Sequence, residues 1–282
     1  MKERSRKIAE IIEPQAVVEG AGVRLKRSIG TRTLDYLDPF LLLDHFQSKN
    51  PADYQAGFPL HPHRGIETVT YLLAGAVRHR DSVGNAGEIG PGDLQWMTAG
   101  RGIMHEEMPQ VRPEGVAGFQ LWVNLPAKQK MIAPRYQNIH ANEIAEIQRD
   151  GGAKVRVIAG SVDGVAGPIS GIAAEPMYLD VSIAPHGSFN LPIPRGHSAF
   201  AYVFDGEGRF GPEDRTVTAP RLVVWDDGDG IRARAEEGAV RFLLVSGKPL
   251  DEPIARYGPF VMNSQDEIEQ TLRELQAGTF AQ

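Results

Sequence analysis

Apolar residues in this chain come in short runs, or alternate with polar ones at a period of two. That periodicity predicts strands, because successive side chains of a strand point to opposite faces. The runs fall at 16–18, 22–27, 40–43, 66–73, 77–80, 94–98 and 119–124 in the first half. They fall at 155–159, 177–183, 199–204, 221–224 and 240–246 in the second. Turn signals such as Gly84-Asn85, Pro91-Gly92, Pro126 and Asp227-Gly228 separate them. A helical pattern stands out at the C-terminus alone. There Ser264 and Glu267 form the S-x-x-E capping signature, Ile268, Leu272 and Leu275 follow at helical spacing, and Gly278 offers a stop. A short helix is also expected over 142–148, in the link between halves. The predicted class is all-β with little helix.

The two halves share a faint repeat. "YLLAG" (Tyr71 to Gly75) has a counterpart in "YVFDG" (Tyr202 to Gly206), and "GDLQW" ending at Trp96 resembles "RLVVW" ending at Trp225. At this offset His61 falls on Pro192 and His63 on Pro194, so chemistry carried by these histidines belongs to the first half alone. With 282 residues, two domains of ordinary size are expected, 1–135 and 136–282. Apolar residues at 41% suffice for two cores, and the 31 glycines and 20 prolines are scattered as turns between many strands would scatter them.

Charge and cysteine content narrow the function. The net charge of −6 and the lack of a basic stripe argue against direct nucleic-acid binding. No cysteine is present, which excludes disulfides, thiolate metal sites and a cysteine nucleophile. The first residues lack an apolar signal core, and no apolar run approaches the ~18 residues of a spanning helix. A soluble intracellular protein without membrane contact is expected, in the cytoplasm, or the nucleus in a eukaryote.

The candidate chemistry lies in "PLHPHRGIETVTYLLAG". His61 and His63 stand at i and i+2, so in a strand both imidazoles aim the same way. His105 and Glu107 repeat this spacing about 40 residues on, and a hairpin or two would bring the pairs together. Three imidazoles and a carboxylate suit one divalent first-row cation such as Fe(II), Mn(II), Ni(II), Cu(II) or Zn(II). Four protein ligands would leave open positions, which favours chemistry over a structural site. Glu106 competes with Glu107, although strand parity turns it away. Glu67, four residues after His63, is an alternative ligand. His45, His79, His140, His186 and His197 read as ordinary hydrogen-bonded or surface residues.

Longer motifs carry a resemblance. "HPHRGIETVTYLL", "GDLQWMTAGRGIMHEEMP" and "GFQLWVNLP", with "DPFLLLDHF" before them and "GPFVMNSQDEI" near the end, resemble the pirin family of the cupin superfamily. The similarity runs from about Gly20 to the final helix. It implies two tandem jelly-roll-like cupin barrels: a metal-binding one over 1–135, and a metal-free one over 136–282 that carries the terminal helix. It also implies one metal, usually iron and so Fe(II), held by His61, His63, His105 and Glu107. Glu67 then becomes a buried polar residue that needs a hydrogen-bond partner. Ile66, Ala74 and His45 depart from the family pattern in ways that would alter pocket shape or polarity.

The resemblance further implies a dioxygenase that cleaves quercetin-type flavonols with O2. Glu107 would act as general base on the acidic enol hydroxyl. Phe46, Phe58, Met97 and Leu121 are candidate apolar walls, and Asp44 and Arg64 candidate polar contacts near the mouth. Hydrolase signatures such as G-x-S-x-G are missing. A second reading, also implied by the family, is a non-catalytic regulator. In it the metal acts as a redox or structural switch, and the partner is a transcription regulator or a metabolic enzyme. An inert storage cupin is a third.

Overall fold

A computed structural model describes residues 4–281. The chain is built almost wholly of antiparallel strands and divides into two units. One comprises Gln15–Ala141 with Leu250–Gln282; the other comprises Asn142–Pro249 with the described residues up to Pro14. The division falls between Ala141 and Asn142, and each terminal segment groups with the other half of the chain. The N-terminal strand β1 (Ile8–Ile12) pairs antiparallel with Arg221–Trp225 and buries Ile12, so it belongs to the second barrel. The C-terminal helix belongs to the first barrel rather than the second. Its Ile268 packs with Phe260, Met262 and Phe280, and Met104 lies against this cluster.

The first barrel is made of two sheets. Strands β2 (Gln15–Glu19), β3 (Val23–Ile29), β4 (Phe40–Ser48), β6 (Ile66–Ala74), β9 (Leu94–Thr98), β11 (Val116–Asn124) and β12 (Arg135–Ile139) form a seven-stranded sheet. Its order is β12-β9-β6-β11-β4-β3-β2. Strands β5 (Phe58–His63), β7 (Ala76–Asp81), β8 (Ala86–Ile89) and β10 (Ile103–Gln110) form a four-stranded sheet in the order β5-β10-β7-β8. The second barrel is built on a nine-stranded sheet, whose core is an aliphatic and aromatic cluster that includes Phe189, Phe210 and Phe242.

The internal repeat corresponds to equivalent places in the two barrels. Gly75 ends β6, and Gly206 lies within Ser198–Phe210. Both hold a left-handed backbone, at φ 81° and 73°. A Cβ on either would run into a carbonyl of the facing strand, Gly115 O or Ala239 O, so only glycine fits. Trp96 and Trp225 each sit on the strand beside the tyrosine strand. One expectation fails: 142–148 is not a helix. A single 3-10 turn, Ala141–Glu143, leads into the strand Ala145–Arg149, whose pairing with Ala153–Ala159 outweighs the local helical preference.

The C-terminal helix α1 (Gln265–Gln276) begins with the expected capping box. Ser264 Oγ accepts from Glu267 N at 3.3 Å, and Glu267 Oε2 accepts from Ser264 N at 2.8 Å. A buried lysine ties the segment before this helix to the first barrel. Lys130 Nζ donates to Gly65 O at 2.9 Å, Val261 O at 2.8 Å and Asn124 Oδ1 at 2.8 Å. Burial lowers its pKa to about 8, so it stays protonated at neutral pH. Lys130→Met leaves Val261 O and Asn124 Oδ1 without this donor and Gly65 O with only the 3.4 Å bond from Leu125 N. It should cost about 3 kcal/mol, read as a lower urea midpoint.

Candidate metal centre

Strands β5 and β10 lie side by side and antiparallel, with His61 opposite His105 and His63 opposite Ile103. The i, i+2 spacing turns His61 and His63 to one face, and the register brings His105 onto the same face. Ligand atoms of the three imidazoles all lie within 4.8 Å of one another. Ring centroids are 4.9 Å apart for His61 and His63, 4.4 Å for His61 and His105, and 5.0 Å for His63 and His105.

The hydrogen bonding favours a cation. His61 Nδ1 lies 2.9 Å from Pro59 O, and a carbonyl only accepts, so Nδ1 carries a proton and Nε2 is the nitrogen left to face a cation. That Nε2 comes to 3.1 Å from His63 Nε2. Adjacent imidazoles held at about 2.1 Å from one cation, at right angles, have nitrogens about 3 Å apart. His105 is 2% exposed, and neither of its ring nitrogens has a hydrogen-bond partner among the described residues. A buried imidazole with both nitrogens unpaired is costly, and a metal bond would remove that cost. Burial, with the charges of the neighbouring histidines, pushes His63 well below its ordinary pKa and His105 down to about 3. All of this favours neutral imidazoles, the form that binds metals.

Glu107 follows on β10, where a bulge shifts the register with β5 between His105 and Glu107. Its Oε1 lies 3.0 Å from Thr70 Oγ1, which is also 2.8 Å from Gln120 Oε1. Glu107 therefore lines the same cavity as His61 and His63, while its carboxylate reaches across the barrel to Thr70 on β6. Glu106 points outward and pairs with Arg80 at the surface, as parity requires.

The cavity has a volume of about 550 Å³. Phe46 and Phe58 line it, with Val23, Leu25, Val77 and Trp122. Trp122 and His63 pack perpendicular to one another, with centroids 5.1 Å apart. Asp44 also lines it, fastened by Arg27, whose Nε and Nη2 donate to its two oxygens at 2.8 and 2.7 Å. Burial raises the Asp44 pKa against the pull of Arg27.

Three expected lining residues lie elsewhere. Arg64 follows β5, but its side chain turns away from the cavity into the C-terminal segment. It bonds Glu274, Thr271 and the carbonyls of Arg101 and Phe280 there. Leu121 is on the wrong parity: Gln120 and Trp122 face the cavity, and Leu121 is buried opposite Leu43 and Val69. Met97 is buried among Ala99, Ile103 and Tyr136 rather than along the cavity wall. Thr70, Gln120 and Trp122 are cavity residues that the sequence reading missed. The signal for Thr70 was its shared parity with Thr68 on β6, and the one for Gln120 was its alternation with Leu121.

Glu67, expected near the ligands, is buried with its Oε1 accepting from Thr98 Oγ1 at 2.7 Å, and Oε2 has no partner among the described residues. Burial raises its pKa from 4.5 to about 6. The unfolded chain therefore binds fewer protons than the folded one between these values, and stability falls as pH rises through them. At 1.36 kcal/mol per unit the loss is about 2 kcal/mol. Glu67→Gln should recover about that much at pH 7 and nothing at pH 4, read from urea midpoints at both.

Comparison with known proteins places the whole chain in a family. A profile of the Pirin family matches residues 22–123, and one of the Pirin C-terminal cupin domain matches residues 178–281. A Pirin-like protein of Caulobacter vibrioides is 44% identical over 276 residues, covering 98% of this chain and 99% of that one. Human Pirin is 41% identical over 272 residues, covering 95% and 91%. The crystal structure of a quercetin 2,3-dioxygenase from Acinetobacter baumannii superposes with a TM-score of 0.88 at 33% identity, covering 98% and 99%. Two β-barrels in tandem, three imidazoles gathered in the first of them, and relatives alike from end to end lead to one assignment: this chain belongs to the pirin family.

Proposed function

We propose that this protein is a metal-dependent dioxygenase that opens quercetin-type flavonols with O2. The observation that carries this reading is the cluster of three imidazoles, with His63 and His105 buried and both nitrogens of His105 unpaired among the described residues, beside an apolar-walled cavity lined by His61, His63 and the Glu107 carboxylate. The likeness to the Acinetobacter enzyme supports the substrate class. His61, His63 and His105 would hold one divalent cation, with Glu107 as the fourth ligand, and Fe(II) is the metal this donor set is assigned here. When bound, it supplies positive charge beside the substrate oxygens and a route for electrons to O2.

The chain's own residues do the rest. Glu107 accepts the proton of the flavonol 3-hydroxyl at its carboxylate, while Thr70 orients that carboxylate. Phe46, Phe58 and Trp122 flank the flat rings and exclude water. Asp44, locked by Arg27, offers a fixed acceptor to a ring hydroxyl. Both atoms of O2 enter the product, and one ring carbon leaves as carbon monoxide. The test is O2 consumption and carbon monoxide release with quercetin, using protein loaded anaerobically with Fe(II). One O2 and one carbon monoxide per quercetin are expected. No uptake with Fe(II), Mn(II), Ni(II) or Cu(II), across several flavonols, would overturn the reading.

A further inference from the structure

Two arginines line the cavity, and they are used differently. Arg27 is paired with two carboxylates: it holds both oxygens of Asp44, and its Nη1 donates to Glu19 Oε1 at 2.8 Å. Arg256 sits exposed at the rim and has one polar contact, Nη1 to Leu41 O at 3.3 Å. Its guanidinium lies over Trp122, 5.3 Å from the ring centroid. Asp35, Asp44 and Glu19 are near enough to act on its charge, yet none pairs with it within the described residues. An arginine with most of its five donors unused, over an aromatic face at a cavity mouth, is suited to a planar anion.

The position of Arg256 is tied to the metal centre. It lies on the strand Ala255–Tyr257, which pairs with Phe260–Met262. That second strand is bonded to the residue after His63: Val261 N donates to Arg64 O at 3.1 Å, and Arg64 N to Pro259 O at 3.4 Å. Trp122 contacts both groups: the Arg256 guanidinium lies over its ring, and His63 packs perpendicular to it with centroids 5.1 Å apart. His61, His63, Trp122 and Arg256 line one cavity, so a flat ligand that meets the histidines and packs against Trp122 has Arg256 within the same wall.

We propose that Arg256 is a specificity-determining residue, which selects aromatic enols carrying a second, anionic group such as a ring carboxylate at the end remote from the histidines. This rests on the flavonol reading above and narrows it to charged members of that class. A neutral flavonol would leave the guanidinium facing water, whereas a carboxylate would take two of its N–H donors in parallel.

The test compares 3-hydroxyflavone with its 4′-carboxylate, titrated anaerobically into Fe(II)-loaded protein and followed by flavonol fluorescence, so that binding is read without turnover. The carboxylate should bind about ten-fold more tightly or better, as a charge-assisted pair would give. Arg256→Gln should raise its Kd to that of 3-hydroxyflavone, and Arg256→Lys should restore part of the preference. Salt should weaken the carboxylate and leave 3-hydroxyflavone little changed. Equal affinities in the unaltered protein, or a preference that survives Arg256→Gln, would overturn the proposal while leaving the flavonol site standing. Failure of both ligands to bind would overturn the site and the proposal together.

Discussion

His105→Ala protein should lose its metal and keep its fold. Ligand-orienting neighbours alone are worth 10–100-fold in metal affinity, so removing one of three clustered imidazoles should lower Fe(II) affinity by at least about 100-fold. Metal content after loading and desalting would show this directly. The metal-free proteins give a second reading. His105 is buried with both ring nitrogens unpaired, so truncating it loses packing but also removes an unsatisfied polar group. These terms oppose, and the two metal-free proteins should unfold within about 1 kcal/mol of each other. Excess Fe(II) at 100 times Kd should stabilise the unaltered protein by about 2.7 kcal/mol and the variant hardly at all. An ordinary core histidine would behave in the opposite way, with the variant much less stable and indifferent to Fe(II). Glu106→Gln is the matched control: it lies one residue away and pairs with the exposed Arg80, so it should change neither quantity.

The parts of this site that were legible in the sequence are those set by local geometry. The i, i+2 spacing of His61 with His63 needs no more than a strand to converge two imidazoles. The capping box at Ser264 and the breaks at Gly75 and Gly206 are equally local. What stayed hidden depends on pairing between distant segments. Ile8–Ile12 is absent from the strands the periodicity predicts, because its place is set by pairing with the distant Arg221–Trp225. The helix at Gln265–Gln276 was legible, but which barrel it covers was not, because that is decided by Arg64, Lys130 and the Phe260–Phe280 contact. Arg64 was misplaced for the same reason: it adjoins His63 in sequence, yet Glu274 and Thr271 draw it the other way. Phe46 and Phe58 were placed on the wall, while Leu121 was assigned against its parity, which the register of β11 with β4 and β6 fixes.

Glu107→Gln should separate metal binding from catalysis. In the structure Glu107 is held by Thr70 and lies beside the triad rather than within its tight cluster. Three imidazoles would remain, and the amide oxygen can replace the carboxylate as a weaker fourth ligand, so affinity should fall but Fe(II) content under saturating metal should stay within a few-fold of the unaltered protein. An amide cannot accept the enol proton. A positioned general base contributes about 10²–10⁴-fold, so kcat for quercetin should fall by about that factor. Raising the pH should recover part of the loss, because the flavonol then arrives already ionised and needs no base. Thr70→Val gives a graded comparison. It frees the carboxylate without removing it, so kcat should fall by about ten-fold, with the pH profile keeping its shape. Should Glu107→Gln instead lose the metal along with the rate, its carboxylate is a required ligand, and the proton must leave by another group. Equal metal and equal rate would remove Glu107 from the chemistry altogether, leaving the neutral imidazoles and the apolar walls to account for any turnover.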